Sequence, residues 1–403
     1  MGGLSRIEAA AIERIAVEPM LDQVQAWAVI NSGSRNLPGL AHIGALLADA
    51  FEALPGDLAL LDPAPVDAMR PNGAVEPVAH GRNLRLTVRP DAAVQLLFTG
   101  HMDTVYEADH PFQDLSWPEP GVLNGPGVAD MKGGIAVLLA ALKAVEVSPG
   151  AEKLGYEVVI NSDEEVGSAG SAVLLAEAAQ GKRAALTYEP SALPDGTLAG
   201  SRPGSGNFSF LVKGRSAHAG RNPEDGRNAV VAAASLAEQL WSANRGDLAI
   251  NPAKIDGGGP NNVVPDLAIL RVNVRPKNER MMRFWKEALE EALTNVTIRH
   301  EVTIDMHGGF GRPPKPVNPE AEELFRLVAR CGADLGQSIS WRPSGGVCDG
   351  NNIAACGVPV VDTMGVRGGA IHSRDEYLIV DSLAERAALS ALTILRLASG
   401  ALA

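Results

Sequence analysis

The segment AVQLLFTGHMDT (residues 93–104) decides the fold class of this chain. Its apolar run is typical of a buried β-strand, and it leads directly into a histidine and an aspartate. The segments that follow predict a helix over KGGIAVLLAALKAVEV (132–147) and strands at YEVVINS (156–162) and RAALTYEP (183–190). Strands that alternate with helices of this length predict an α/β domain, with a mostly parallel sheet covered by helices on both faces.

The pattern changes after Ser201. NFSFLVKGRS (207–216) and AILRVNVRP (268–276) alternate apolar and polar residues, as half-exposed strands do. The order strand, helix, strand, strand, helix, strand is typical of a small ferredoxin-like α+β domain. The resulting predictions are a strand at VTIRHEVTID (296–305), a hinge at GGFGRPPKPVN (308–318), an inserted domain over 202–311, and an α/β domain made of 1–201 and 312–403.

The length, charge and residue content of the chain limit which partners and which cellular location are expected. The chain has 403 residues, enough for two domains, and a net charge of −13 that argues against nucleic acid as a partner. The sequence contains no run of about 18 apolar residues that would predict a membrane span, and its beginning lacks the apolar core of a signal peptide. The three cysteines have no metal-type spacing and are expected to be reduced. A cytoplasmic protein without membrane or nucleic-acid partners is the expectation.

His101 follows the predicted strand AVQLLFTG (93–100), which places it where open α/β sheets bind ligands. Asp103 comes two residues later. It can hold the second imidazole nitrogen, as histidines that bind metal usually require. The pair therefore indicates a metal site at the carboxyl end of this strand.

Asp130 stands in the glycine-rich turn GPGVADMKGG (125–134) before a helix. Such turns also bind phosphate, but an acidic residue at the centre would repel that anion. A metal ligand is therefore the better interpretation.

A run of three acids, Asp163 to Glu165, ends the strand YEVVINS. Neighbouring acids repel one another unless a cation is near. Glu164 and Glu165 are successive residues whose side chains point in opposite directions, so one can bind metal while the other faces the reacting water. Glu189 and His372 follow two further predicted strands.

Together these residues make two histidines and at least three carboxylates at one edge of a sheet. Nitrogen and oxygen ligands in this mixture suit zinc, with cobalt or manganese as substitutes. Five ligands are too many for one tetrahedral site with an open position. They are enough for two divalent ions that share a carboxylate.

The motifs resemble those of the M20 family of metallopeptidases and amidohydrolases, from about Phe98 to the C-terminus, and most closely its glutamate carboxypeptidase branch. The motifs that carry this resemblance are HMDTV, GPGVADMKGG, NSDEEVGSAGS, TYEPS, GRSAHAG and AIHSRDEYL. The resemblance implies a zinc-exopeptidase-like catalytic domain with an inserted lid that also forms a homodimer contact.

The resemblance also implies a role for individual residues. It assigns His101 and Glu189 to one ion, Glu165 and His372 to the other, and Asp130 to both. Glu164 would be the general base, and Asp103 would orient His101. A cis peptide bond is expected between Asp130 and Met131.

The resemblance also extends to the lid. His218 would reach an active site, often that of the partner subunit, and stabilise the oxyanion. Arg275 and Arg312 would bind the carboxylates of a C-terminal residue, because a guanidinium pairs with a carboxylate at two points. Asn262 would contact the substrate. Cys348 departs from the serine that relatives commonly have, and a small buried thiol there needs no role.

The expected reaction is hydrolysis of an amide or peptide bond that releases a C-terminal acidic residue such as glutamate. A deacylase that removes acetyl or succinyl groups from an amino acid is the alternative, since the metal chemistry is the same. A metal-containing binding protein without catalysis is a further alternative. The presence of Glu164 beside Glu165 argues against it, because carrying a ligand requires no base.

Overall fold

The computed structural model describes residues 3–402. The α-helices in this range are α1 (Arg6–Ile15), α2 (Met20–Ala28), α3 (Leu37–Phe51), α4 (Gly133–Glu146), α5 (Ala172–Ala179), α6 (Ala229–Ser242), α7 (Glu279–His300), α8 (Pro319–Asp334), α9 (Asp349–Ala355) and α10 (Ser382–Ala398). The strands are β1 (Asp57–Leu61), β2 (Asp67–Met69), β3 (Val75–Pro77), β4 (Asn83–Val88), β5 (Val94–His101), β6 (Ser116–Glu119), β7 (Val122–Asn124), β8 (Leu154–Asn161), β9 (Ala184–Thr187), β10 (Leu198–Ala199), β11 (Ser205–Lys213), β12 (Leu248–Gly257), β13 (Leu267–Pro276), β14 (Thr303–Arg312), β15 (Trp341–Arg342), β16 (Val360–Val361), β17 (Gly368–Gly369) and β18 (Tyr377–Ile379).

A six-stranded sheet in the order β1-β4-β8-β5-β9-β16 forms the centre of the larger domain. β8, β5, β9 and β16 run parallel, whereas β4 and β1 add antiparallel strands at one edge. Leu96 and Phe98 of β5 pack in the same apolar cluster as α4 and α10. Leu97 points the other way, into a cluster with α5 and α9. The prediction of a mostly parallel sheet with helices on both faces is confirmed.

The carboxyl ends of the parallel strands lie at one edge of this sheet. His101 at the end of β5 pairs with Asn161 at the end of β8, and Thr99 pairs with Thr187 at the end of β9. Gly134 brings the start of α4 to the same edge, because any side chain there would collide with the carbonyl oxygen of Tyr188. The turn before α4 therefore lies next to the residues that follow β9.

A separate antiparallel sheet, in the order β12-β13-β11-β14, forms the smaller domain with α6 and α7, and we call this domain the lid. Phe208, Val272 and Trp285 belong to the apolar cluster between this sheet and its helices. The opposite face of the sheet faces the larger domain. The chain order β11, α6, β12, β13, α7, β14 is the predicted ferredoxin-like order. We retain 202–311 as the predicted extent of the lid.

Two local predictions were wrong. The helix α7 continues to His300 and takes in the first half of the predicted strand 296–305, because Val296 extends the buried face of the helix made by Leu289 and Ala292. The strand β14 extends to Arg312, so the first residues of the predicted hinge 308–318 are paired with β11. The connection after the lid is therefore shorter than expected.

A hairpin of β2 and β3, which the sequence patterns did not reveal, leaves the larger domain and contacts the lid. Met69 packs with Leu211 and Ile269, and its carbonyl oxygen accepts a hydrogen bond of 3.0 Å from Arg271 Nη2. Among residues 3–402, no helix is both long enough and apolar enough to cross a membrane.

Candidate metal centre

Asp130 lies between two histidines. Its Oδ1 is 3.1 Å from His101 Nε2, and its Oδ2 is 3.3 Å from His372 Nε2. Each histidine also has a carboxylate of its own: Glu189 Oε2 is 3.8 Å from His101 Nε2, and Glu165 Oε2 is 3.2 Å from His372 Nε2. The structure thus brings together all five side chains predicted as metal ligands, in the pairs that the resemblance implied.

Asp103 lies behind His101 and is fully buried. His101 Nδ1 is 3.0 Å from the Asp103 carbonyl oxygen and 3.4 Å from its carboxylate Oδ1. The same carboxylate accepts hydrogen bonds from Ser34 Oγ at 2.6 Å and from the backbone N–H groups of Glu164 and Glu165 at 3.2 Å. Asp103 therefore fixes both the imidazole ring and the backbone of the two glutamates.

The backbone around Asp130 is held by Glu376, which the sequence analysis did not single out although it lies in AIHSRDEYL. Glu376 accepts hydrogen bonds of 3.0 Å from the N–H groups of Ala129 and Asp130, and one of 2.9 Å from the Tyr106 hydroxyl. The peptide bond between Asp130 and Met131 is cis, as the resemblance implied. Glu376 was missed because its partners are distant in sequence.

The third acid of the run at 163–165 faces away from the centre. Asp163 accepts hydrogen bonds of 2.6 Å from Gly170 N–H and Ser171 Oγ, and its Oδ2 lies 3.4 Å from His80 Nδ1. These contacts hold its pKa below the usual value although burial raises it. Asp163 therefore shapes the turn, and only Glu164 and Glu165 face the site.

Burial and the neighbouring charges shift the pKa values of the predicted metal ligands. Burial and the charge of Asp130 raise the pKa of Glu165 to about 7, and the same causes raise the pKa of Glu189. Hydrogen bonds to Asp130 and Glu165 raise the pKa of His372 to about 11. Burial lowers the pKa of His101, but Glu189 and the other carboxylates outweigh this and raise it well above its usual value. The cluster therefore requires positive charge, which protons on the histidines or bound cations can supply.

The donor set fits divalent metal ions. Two overlapping groups have ligand atoms within 4.8 Å of one another: His101, Asp130 and Glu165, and His101, Glu164 and Glu189. Imidazole nitrogens and carboxylate oxygens in this mixture are typical of zinc, cobalt or manganese sites. Asp130, whose two oxygens face different histidines, fits a carboxylate shared by a pair of ions.

A cavity of 1330 Å³ lies between the sheet edge and the lid. We call its two sides the sheet-edge wall, lined by Asp130, Glu164, Glu165, Glu189 and His372, and the lid wall, lined by Ser205, Asn207, Asn273, Arg275 and His307. Arg275 is exposed, with Nε 3.1 Å from Asn273 Oδ1 and Nη1 3.3 Å from the Gly345 carbonyl oxygen. It lies on the cavity face of the lid, where a substrate group can reach it.

Arg312 also lines the cavity, but its guanidinium is buried against the larger domain. Its Nη2 donates to the Glu164 carbonyl oxygen at 2.9 Å and to Ser168 Oγ at 2.8 Å, and lies 2.6 Å from Glu164 Oε1. Its Nη2 lies 3.4 Å from Asp349 Oδ1. In this structure Arg312 is thus a partner of Glu164 and not a free carboxylate-binding group.

His218 and Asn262 lie together on the lid but do not line this cavity. His218 forms a β-bridge with Val263, and Ala219 N–H donates to the Asn262 carbonyl oxygen at 2.9 Å. The imidazole Nδ1 accepts from Gly220 N–H at 3.1 Å. The structure does not bring either side chain to the candidate centre of its own chain.

Cys348 is buried beside a charged pair. Its Sγ lies 3.5 Å from Asp362 Oδ2, which Arg202 Nε approaches to 2.7 Å. Burial raises the pKa of the Cys348 thiol well above its usual value. The thiol is therefore protonated and packs as a small buried group.

Comparison with known proteins decides the family. Residues 97–396 match Peptidase family M20/M25/M40. This chain belongs to that family. It is 29% identical over 333 residues to carboxypeptidase G2 from Pseudomonas sp. (strain RS-16), and the alignment covers 79% of this chain and 78% of that protein. It is 30% identical over 311 residues to a succinyl-diaminopimelate desuccinylase from Acinetobacter baylyi, with 71% and 79% covered.

A solved structure supports the fold. The YXEP protein of Bacillus subtilis, described as a dinuclear metal binding peptidase of family M20, has a TM-score of 0.64 and 15% identity, with 96% of this chain and 99% of that chain covered. The resemblance drawn from the motifs is thus confirmed at the level of the family. The M20 chain is accordingly a hydrolase of the peptidase and amidohydrolase class.

Proposed function

We propose that this M20 chain hydrolyses the amide bond of a small peptide or acylated amino acid at a centre with two divalent metal ions, and that zinc is the metal. The observation that carries the proposal is the position of Asp130, whose two oxygens face different histidines. Each histidine has a further carboxylate beside it. The description of the Bacillus subtilis relative as a dinuclear peptidase supports the same number of ions.

Glu164 is the general base in this proposal. When bound, the two ions would lower the pKa of a water molecule and polarise the substrate carbonyl. Glu164 lies close to His101 and Glu189 but is ion-paired to Arg312. It takes a proton from the attacking water and passes it to the leaving nitrogen. Asp103 supports this by holding the Glu164 backbone in place.

Replacing the base tests this assignment. In Glu164→Gln, kcat should fall by about 10²–10⁴-fold, since general base catalysis contributes that much. Metal analysis should still find both ions. Glu320→Gln, an exposed residue of α8, is the matched control. Near-normal turnover in Glu164→Gln would overturn the assignment.

The substrate in the main proposal carries a C-terminal acidic residue such as glutamate. Similarity to carboxypeptidase G2 and the exposed Arg275 in the cavity support this. Peptides ending in glutamate should be cleaved faster than the same peptides ending in glutamine.

The relative that removes succinyl groups supports the alternative, a deacylase. N-acetyl and N-succinyl amino acids assayed in parallel separate the two, and a metal-loaded protein that hydrolyses none of these amides would indicate a binding protein without catalysis.

The proposal also includes a homodimer formed through the lid, with His218 and Asn262 acting on substrate in the partner subunit. Their place outside the cavity of their own chain supports it. Mixing inactive His218→Ala and Glu164→Gln chains should restore part of the activity, because one cavity of a mixed dimer has both groups. A protein that sediments as a monomer while fully active would exclude this arrangement.

A further inference from the structure

We propose that Arg312 is a positioning residue for Glu164. Its guanidinium balances the negative charge of this base without contacting the oxygen that must accept a proton from water. It lies where the lid joins the larger domain. This inference rests on the proposed function, because it concerns the base of that reaction. It replaces the expected role of Arg312 in binding a substrate carboxylate.

The contacts of one nitrogen atom of Arg312 are the first support for this proposal. Arg312 Nη2 donates to the Glu164 carbonyl oxygen at 2.9 Å and to Ser168 Oγ at 2.8 Å, and it makes a longer contact of 3.4 Å with Asp349 Oδ1. Glu164 Oε1 is only 2.6 Å from the same nitrogen. Oε1 is also buried from solvent, so the guanidinium is its close neighbour and water is not. The guanidinium thus compensates the charge of Glu164 at Oε1 and leaves the other carboxylate oxygen, Oε2, to accept a proton from water in the cavity that Glu164 lines.

The burial of both groups makes this compensation necessary. Glu164 and Arg312 are each 6% exposed, and an isolated carboxylate at such a position would be strongly disfavoured. The hydroxyl of Ser168 donates to Asp349 Oδ1, and both groups contact the same nitrogen of Arg312 that contacts Glu164. Asn161 Nδ2 also donates to Asp349 at 2.8 Å. The guanidinium is therefore fixed within the larger domain and is not free to follow a substrate.

The position of Arg312 in the chain also supports this proposal. It is the last residue of β14 and pairs with Ser205 at the start of β11, so it lies where the lid joins the larger domain. Just beyond it, Arg202 and Lys315 pair through their backbones at 2.9 Å and 3.0 Å. Both side chains also contact Asp362 of the larger domain, at 2.7 Å and 3.0 Å. The hinge is thus anchored, and the anchoring places Arg312 against the base.

Arg275 provides the contrast within the same cavity. It is exposed on the lid wall and has no contact with Glu164, whereas Arg312 is buried and contacts it. A residue that acts on the base should affect the rate of the chemical step, and a residue that binds substrate should affect binding. The two arginines therefore predict opposite kinetic signatures.

The experiment compares Arg312→Gln and Arg275→Gln in the zinc-loaded full chain, on the best substrate of the amide panel. Arg312→Gln should lower kcat by about 10- to 100-fold, as loss of a supporting partner does, and change KM by less than about threefold. Arg275→Gln should raise KM by about five- to tenfold and largely retain kcat. Arg312→Lys, which keeps the positive charge but not the planar guanidinium, should recover part of the lost kcat.

A binding measurement separates action on the base from contact with substrate. In the Glu164→Gln background, calorimetry should give the same substrate affinity with and without Arg312→Gln, whereas adding Arg275→Gln should weaken it. The kcat loss caused by Arg312→Gln should also disappear in that background, because residues that act as a unit are not additive. Weaker substrate binding on adding Arg312→Gln, or a full additional loss of kcat, would overturn the proposal.

An unfolding measurement tests the ion pair even if no amide is hydrolysed. Arg312→Gln should lower Tm more in the native background than in Glu164→Gln, since only in the former does it leave the carboxylate of Glu164 uncompensated. Arg326→Gln, which removes a surface pair with Glu322, should leave Tm nearly unchanged. Equal Tm losses in the two backgrounds overturn the inference whatever the chain hydrolyses. Failure of the whole amide panel, by contrast, overturns the proposed function alone.

Discussion

The two walls of the cavity are built differently. On the sheet-edge wall the side chains of Asp130, Glu164 and Glu189 are buried and bonded to one another or to groups behind them. On the lid wall Asn273 contacts Asn207 at 2.9 Å and Arg275 at 3.1 Å, and Arg275 is exposed to solvent. Dense bonding fixes a geometry for chemistry, whereas an open polar surface can accept different substrates. The difference explains why family membership fixes the reaction class of this chain but leaves its substrate as a proposal.

Removing the shared carboxylate is the strongest way to break the sheet-edge wall. Asp130→Ala takes away a contact of both histidines, so we expect loss of at least one ion and a fall in kcat/KM of about 10³-fold or more. Metal analysis and kinetics measure the two effects together. If two ions stay bound and activity persists, Asp130 is not the shared ligand.

Changing Glu376 tests how far the dense bonding extends. Glu376→Gln keeps the size of the side chain but replaces one carboxylate oxygen by an NH2 group, so either the N–H groups of Ala129 and Asp130 or the donors of Gly127 and Tyr106 lose their acceptor. We expect metal affinity to fall by about 10- to 100-fold, as is usual for groups that orient ligands. A competition assay with a zinc chelator measures this. Unchanged affinity would limit Glu376 to a structural role.

The sequence predicted those parts of the molecule that depend on local pattern. An apolar strand must end where its polar residues begin, and the ends of β5, β8 and β9 therefore located His101, Glu164 and Glu189. Parallel pairing then brings these ends together without further information. This is why the sheet-edge wall could be read from the order of the motifs.

The remaining features depend on contacts between distant residues. Glu376 supports Asp130 across more than two hundred positions, and the partner of Arg312 is a glutamate 148 positions earlier in the chain. The extension of α7 follows from the packing of Val296 in the lid core. No local periodicity reports such contacts, because they arise only when folded elements meet. The same limit applies to the hairpin whose Met69 packs on the lid.

Protons should compete with metal ions for the sheet-edge wall. With a pKa of about 11, His372 is protonated at neutral pH when no ion is bound, and Glu165, with a pKa of about 7, is partly protonated. Metal ligands must be free of these protons, so binding releases them and metal affinity should rise with pH between about 6 and 8, by roughly tenfold per proton released and pH unit. Calorimetry in buffers of different ionisation enthalpy counts the released protons. Affinity that is independent of pH would contradict the charge balance described for the centre.

The smallest expected effect lies on the lid wall and concerns selectivity. Arg275→Gln should raise KM for a substrate ending in glutamate by about five- to tenfold, because an exposed charge contributes only about 1 kcal/mol. The same change should have little effect on a substrate ending in glutamine, which offers one carboxylate fewer. The ratio of the two kcat/KM values is therefore the quantity to measure, and Lys254→Gln, an exposed lid substitution outside the cavity, is its control. If kcat/KM falls equally for both substrates, Arg275 recognises a group that they share, and the acidic side chain is selected elsewhere in the cavity.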